Sequence, residues 1–266
     1  MNRRGARGWL VLAALSLSGA CGLGPNPLSG PPPQGASAYR DAVLADGPIG
    51  YWRLDETHGM RAYDQSATVS HGMIEAVVAL NQPGGTGDGD AAMEFKGTGR
   101  IFVPDSPALQ VKGGNLTLEA FVKPMAATAG LSFVLCKGRS GEQTEYCLGL
   151  VDGRLAYQSV AEQYVSPSGP LPIDRWSHVA IAIVDNATGK FYVNGVVTGT
   201  FSATTGHIVT ASKLPLGIGA EADSKGGWFV GAIDEAAIYN HTLTAERLGK
   251  HVEAAAQKAA GTTRPQ

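Results

Sequence analysis

Apolar and polar positions alternate in short runs along most of the chain, and the clearest run is Trp176–Thr200. Val179, Ile181 and Ile183 point to one side of an extended segment; Trp176, His178, Ala180 and Ala182 point to the other. Both sides are apolar or small, which suits a central strand covered on both faces. A polar connection, Asp185–Gly189, leads to Lys190–Val193. Asn194-Gly195 then tolerates the positive φ angles of a type I′ hairpin turn before Val196–Thr200.

The same reading predicts strands at Tyr51–Leu54, Ala91–Phe95, Ile101–Val103, Leu116–Val122, Arg154–Val160, Leu214–Ile218 and Phe229–Tyr239, the last with a bulge at Gly231. Two more apolar runs surround Cys136 and Cys147 and flank the polar loop Lys137–Glu145. Helical signals are few. Tyr39–Asp46 suits a short turn of helix. Thr244–Ala259 has an N-cap in Thr244, an acid in its first turn in Glu246, and Leu248 and Val252 on one side. About a dozen short strands with turn signals throughout and one terminal helix predict an all-β sandwich, a single domain over 39–260.

The first twenty residues lie outside that pattern. Arg3, Arg4 and Arg7 precede the apolar run Trp9–Leu17 and the small residues Ser18-Gly19-Ala20, the arrangement of a signal peptide over 1–20. Cys21 follows directly and resembles a bacterial lipobox cysteine, which would be lipidated. Ser18 departs from that pattern, which has an aliphatic residue there, and an ordinary signal peptide with an incidental cysteine is the alternative. Residues 21–38, rich in proline and glycine, read as a tether that holds the domain clear of a membrane, and 261–266 as a disordered tail.

Composition narrows the partners. The formal charge is −2 over 266 residues, and loss of the leader removes three arginines, so no basic field argues for nucleic acid. With Cys21 assigned to lipid, Cys136 and Cys147 remain as a disulfide pair in an extracytoplasmic protein, or else as two buried thiols.

Five segments in order, GYWRLDE from Gly50, NLTLEAFVKP from Asn115, WSHVA from Trp176, FYVNG from Phe191 and GAIDEAAIYNHTL from Gly231, resemble the laminin G-like, concanavalin A-like lectin/glucanase family. The resemblance implies a jelly-roll sandwich of two antiparallel sheets with a short C-terminal helix. It makes Trp176, Val179 and Ile181 core and His178 scaffold. Glucanases of this fold carry a Glu-x-Asp-x-x-Glu signature. The nearest match begins at Glu221 and has Gly226 in place of the second glutamate, so no catalytic residue is assigned. Glu119, Glu221 and Glu235 remain the carboxylates to test for a divergent glycoside-active enzyme.

The resemblance also implies a calcium ion held by Asp64, Asp234 and Glu235, although Ala67 replaces a glycine of the family pattern. Alternatively, Asp64 and Asp234 accept backbone N–H groups. Asp88 and Asp90 read as a flexible turn. For a glycan, the aromatic and hydrogen-bonding candidates are Arg139, Tyr157, Gln158, Tyr164 and Trp228. The expectation is a non-catalytic, lipid-anchored surface protein that binds a glycan, with an envelope protein as the alternative partner. The membrane holding it would be the outer one if the organism has two.

Overall fold

The computed structural model describes residues 37–75, 77–138, 144–160, 162–204, 209–223 and 226–257. The leader, Cys21, most of the tether, Arg139 and the tail lie outside these residues. Helix α1 (Ala38–Ala45) comes first, followed by β1 (Gly50–Trp52), β2 (Arg61–Ala62), β3 (Gly72–Glu75), β4 (Val78–Pro83), β5 (Ala91–Lys96) and β6 (Arg100–Val103). Next come β7 (Leu116–Pro124), β8 (Leu131–Lys137), β9 (Tyr146–Val151), β10 (Arg154–Gln158) and β11 (Gln163–Val165). The chain closes with β12 (Ser177–Val184), β13 (Thr188–Val193), β14 (Val196–Ser202), β15 (Leu216–Ile218), β16 (Val230–Tyr239) and helix α2 (Ala245–Ala255).

The strands form two antiparallel sheets. One has the order β14-β13-β12-β7-β16-β5-β4, with β1 also paired to β16; the other has the order β11-β10-β9-β8-β15-β6-β3-β2. This is the jelly-roll sandwich expected from the sequence. The second sheet turns inward the aligned row Ile74, Ile101, Ile218, Leu135, Leu148, Tyr157 and Tyr164. This row meets Leu116, Leu118, Val179, Ile181, Met93, Phe95 and Ile233 of the first sheet in one continuous core.

The outer face of the first sheet is also dry. Phe121, Ala180, Ala182, Tyr192 and Tyr239 pack there against Tyr39 and Val43 of α1 and Leu248 and Ala255 of α2. Strand β12 is therefore buried on both sides, as its alternation requires. Helix α2 starts at the Thr244 cap, whose hydroxyl accepts from the Arg247 N–H. The turn Asn194-Gly195 has φ of 49° and 76°, both positive as a type I′ turn demands.

Three details differ from the expectation. Residues 163–165 pair as a strand, so Tyr164 is not in a loop. Strands β2, β3 and β4 lie in stretches too polar or too irregular to announce themselves; β4 is an edge strand ending on Pro83 and kinked by Asn81 at φ 55°. The bulge in β16 lies between Asp234 and Ala237, not at Gly231. Gly231 serves close approach instead, since a Cβ there would strike the Lys123 carbonyl. Glu235 takes the unusual φ of 53°, and the distortion turns the consecutive carboxylates Asp234 and Glu235 into one charged cluster.

Candidate functional site

Helices cover the outward face of the first sheet; among the described residues no helix covers that of the second. Pairing register aligns Met73, Phe102, Gly217, Cys136, Cys147, Gln158 and Gln163 across seven strands on this outward face. The disulfide Cys136–Cys147 lies in the middle of the row and joins β8 to β9. The loop between β15 and β16 crosses the middle as well. Its Ala220 and Ala222 backbone lies directly over Gly217, and Gly227 lies over the Phe133 ring, so neither glycine has room for a side chain.

On one side of the crossing, Met73 is 47% exposed and Phe102 half-buried. On the other side Gln158 accepts from the Gln163 amide at 2.9 Å. Beside the crossing is a cavity of about 340 Å³ lined by Arg100, Phe102, Gly138, Leu214, Pro215, Ala222 and Asp223. Arg100 builds one wall. Its guanidinium pairs with Glu75 at 2.7 Å, donates to the Glu221 and Ala222 carbonyls, and sits 5.3 Å from the centre of the Phe102 ring.

The sequence candidates for a glycan site divide. Gln158 lies on the open face. Tyr157 does not: it is fully buried in the core, 5.7 Å from Phe201 in a stacked pair, and this corrects its reading as an exposed platform. Tyr164 follows it inward, stacked on Phe201 at 4.3 Å with its hydroxyl buried and unbonded. Trp228 is half-buried, directly after the left-handed Gly227. Arg139 lies outside the described residues.

The candidate metal ligands divide as well. Both oxygens of Asp64 are taken. Oδ1 accepts the N–H groups of Tyr51 at 2.9 Å and Ser66 at 2.8 Å, and Oδ2 accepts Ser70 N–H at 2.6 Å and the Thr68 hydroxyl. This aspartate holds its loop against β1 and has no oxygen aimed at an ion. Asp234 accepts the Gly85 N–H through Oδ2, while its Oδ1 is buried without a hydrogen-bond partner. Glu235 accepts from Arg53 Nε at 3.0 Å and from the Tyr51 hydroxyl.

Arg53 was missed in the sequence and is the centre of this cluster. It also reaches Asp88, Asp90 and, at 3.4 Å, Asp55. Among the described residues, Asp88, Asp90 and Glu235 bring carboxylate oxygens within 4.8 Å of one another. Asp88 and Asp90 are thus structural partners and not a loose turn. The available signal was Arg53 itself, since a cation inside an apolar strand requires buried counter-charges. Burial, and then the neighbouring Asp88, push the Asp90 carboxyl up to about 7 against the opposing pull of Arg53. Burial likewise raises Asp234, with Asp90 and Glu235 adding to it. One guanidinium facing so many acids leaves excess negative charge and hard oxygen donors, a set that fits calcium, though any ion must share these oxygens with Arg53.

The remaining carboxylates are held by scaffold. Glu119 is fully buried under the helices, bonded by His178 Nε2 at 3.0 Å, His251 Nδ1 at 3.1 Å and the Tyr239 hydroxyl. Burial alone would raise its carboxyl, but His251 and His178 hold it well below the usual carboxylate range. Glu221 is buried in the crossing loop.

A family model described as the Concanavalin A-like lectin/glucanases superfamily matches residues 95–249. A search of curated proteins finds no match. Among solved structures, the chain is similar to domain 4 of AbnA, an extracellular arabinanase from Geobacillus stearothermophilus in complex with arabinotriose. That match has a TM-score of 0.60 and 21% identity over 77% of this chain and 98% of that one. It is also similar to the Trypanosoma rangeli sialidase in complex with sialic acid, at 0.58 and 18% over 79% of this chain and 33% of the sialidase. The ligand-binding domain of botulinum neurotoxin serotype D with N-acetylneuraminic acid gives 0.56 and 14% over 82% and 52%. The chain therefore spans about half of that domain and a third of the sialidase.

Proposed function

This chain belongs to the concanavalin A-like lectin/glucanase superfamily, and on that basis we propose that it is a non-catalytic, lipid-anchored glycan-binding protein of the cell envelope. The observation that carries the reading is the asymmetry of the sandwich. Helices seal one outward face, whereas the other keeps an aromatic ring, a cavity and a pair of glutamines toward solvent. Shallow apolar surface beside hydrogen-bonding groups is what sugar rings require. Similar folds seen with arabinotriose and sialic acid support the same ligand class.

The non-catalytic half of the proposal rests on the acids. Glu119 is locked by two histidines and a tyrosine, Glu235 by Arg53 and Tyr51, and Gly226 replaces a second glutamate after Glu221. Among the described residues, none is paired with a second carboxyl group across an open cleft, as glycoside hydrolysis needs.

Calcium, if bound, would be held by Asp88, Asp90, Asp234 and Glu235 and not by Asp64. It would neutralise the acids between β16 and the loop before β5, a stabilising role away from the open face. The anchor would be Cys21, with the tether holding the domain off the membrane.

Glycan-array screening of the mature domain, with and without calcium, tests the reading. Binding to a defined sugar is expected. Failure on every glycan, together with a co-purifying envelope protein, would reject it in favour of an adhesion module, for which the exposed Val196 and Val197 of edge strand β14 are the available surface.

A further inference from the structure

Both ends of the described chain meet at one end of the sandwich. The Ser37 hydroxyl, just ahead of α1, hydrogen-bonds the Asp88 side chain in the loop between β4 and β5. In the same loop Gly87 donates its N–H to the Ala255 carbonyl of α2 at 2.7 Å. Two residues earlier, Gly85 lies so close to the Trp176 indole and the Phe121 ring that a Cβ there would stand 3.1 Å from each.

Trp176 is only half-buried, and exposed apolar residues flank it. Ile173, three residues before it, is 47% exposed, and Val196 is 65% exposed. Strand pairing brings Val196 to the same place. Val193 pairs with Val179, and Asn194 is bonded to His178 through both its side chain, at 2.9 Å, and its backbone N–H, at 2.8 Å. Gly195 and Val196 then run beside Ser177 and Trp176. Cations frame the group: Lys123 Nζ is 6.0 Å from the Trp176 ring centre and 3.3 Å from Asp174, and Arg175 is exposed.

We propose that this end of the sandwich is a membrane-seating rim: Trp176, Ile173 and Val196 enter the headgroup region of a phospholipid bilayer, with Lys123 and Arg175 at its anionic lipids. This rests on the lipid-anchored reading of Cys21 and adds how the domain meets that membrane. Where the chain enters the domain is what makes lipid the occupant. Cys21 is 16 residues before Ser37. At about 3.1 Å per residue for an extended proline-rich segment, the tether reaches about 50 Å at most. It lets the domain stand clear of the bilayer, but the end from which it emerges is the end held nearest. Tryptophan, aliphatic side chains and Lys or Arg suit an interface, because each offers an apolar body to the acyl boundary or a polar tip to the headgroups. The contact needs little affinity of its own, since the anchor makes it intramolecular. A domain seated on this rim stands end-on, with its helix-free face turned sideways and open to glycan.

The test uses the mature chain from Cys21, its thiol coupled to a maleimide lipid in vesicles of phosphatidylcholine and phosphatidylglycerol; Cys136 and Cys147 are closed in their disulfide. Anchoring is then chemical and independent of lipidation in the cell. Acyl chains brominated near the headgroup quench tryptophans that enter the bilayer. Wild-type emission should be quenched, and Trp176→Phe should abolish the quenching. Ile173→Asp combined with Val196→Asp should cut it about twofold or more at an unchanged melting temperature. Ile173→Trp added to Trp176→Phe should restore it. Unquenched emission in both the wild type and that second reporter overturns the rim and leaves the anchor standing, as does quenching that survives in Trp176→Phe alone. Self-association of the uncoupled chain that Ile173→Asp abolishes would make the occupant a second copy and also overturn the rim. The anchor is judged separately by mass spectrometry of Cys21 in the native protein, where a bare thiol overturns the anchor and the rim with it.

Discussion

Arg53 shows how much one residue organises here. Its guanidinium is nearly inaccessible and bridges β1, the loop before β5 and the bulge of β16. Removing such a charge leaves several buried acids uncompensated, a strongly destabilising change. Arg53→Met is expected to cost about 3–5 kcal/mol in urea unfolding; a loss under 1 kcal/mol would mean the acids are neutralised otherwise. The sequence announced a cation inside a strand but not its partners, because Asp88 and Asp90 are 35 and 37 residues away and meet it only through the fold. The bulge at Glu235 was unreadable for the same reason. Tyr157, by contrast, was a candidate that the sequence's own alternation argues against: Leu155 and Tyr157 share a face, and that face is the core.

At the scale of elements, the docking of the two helices has a pH dependence. His251 of α2 joins Glu119 of β7 to Asp46 at the end of α1, with His178 of β12, Tyr39 and Tyr239 around them and Arg247 on Asp46. Burial lowers the His251 pKa, but Glu119 and Asp46 outweigh it and leave it raised above 6.5. Its stabilising share is therefore complete below the ordinary imidazole pKa and lost as pH rises through the raised one. Glu119 runs the other way, its pKa depressed, with its share complete above 4.5 and lost as pH falls. Glu56, pushed up to about 7 mainly by burial, favours the fold in its protonated form, so its share is lost between pH 4.5 and 7. Melting temperatures measured with a chelator present should therefore be highest near pH 4.5 and fall from there toward pH 8. His251→Asn should lose less between pH 6 and 8 than wild type; an identical slope would remove His251 from the account.

The β8–β9 hairpin carries a second element-scale prediction. Cys136 and Cys147 lie opposite each other, 11 residues apart in sequence. Closing so short a loop stabilises by about 2–3 kcal/mol. The Cys136→Ser, Cys147→Ser double variant should therefore melt several degrees lower, and an unchanged melting temperature would count against a stabilising role. The pairing was legible from the two apolar runs flanking a polar loop.

For the molecule as a whole, the family segments made the sandwich legible in the sequence because each carries the alternation that a two-sheet core demands. The open face was not legible. It is composed of single residues from seven strands, Phe102 and Gly217 among them, which no local window brings together. Calcium should raise the melting temperature of the wild type if the Arg53 cluster accepts an ion, and Asp234→Asn should abolish that rise. The same rise in the variant would move the ion elsewhere.

The central claim, a glycan held on the helix-free face, is tested most directly by chemical-shift mapping of the isotopically labelled mature domain with its best array glycan. The account predicts shifts confined to amides around Phe102, Gly138, Gly217 and Asp223, with the helices and β14 unmoved. Shifts on the helical face or along β14, or none at saturating sugar, would contradict it.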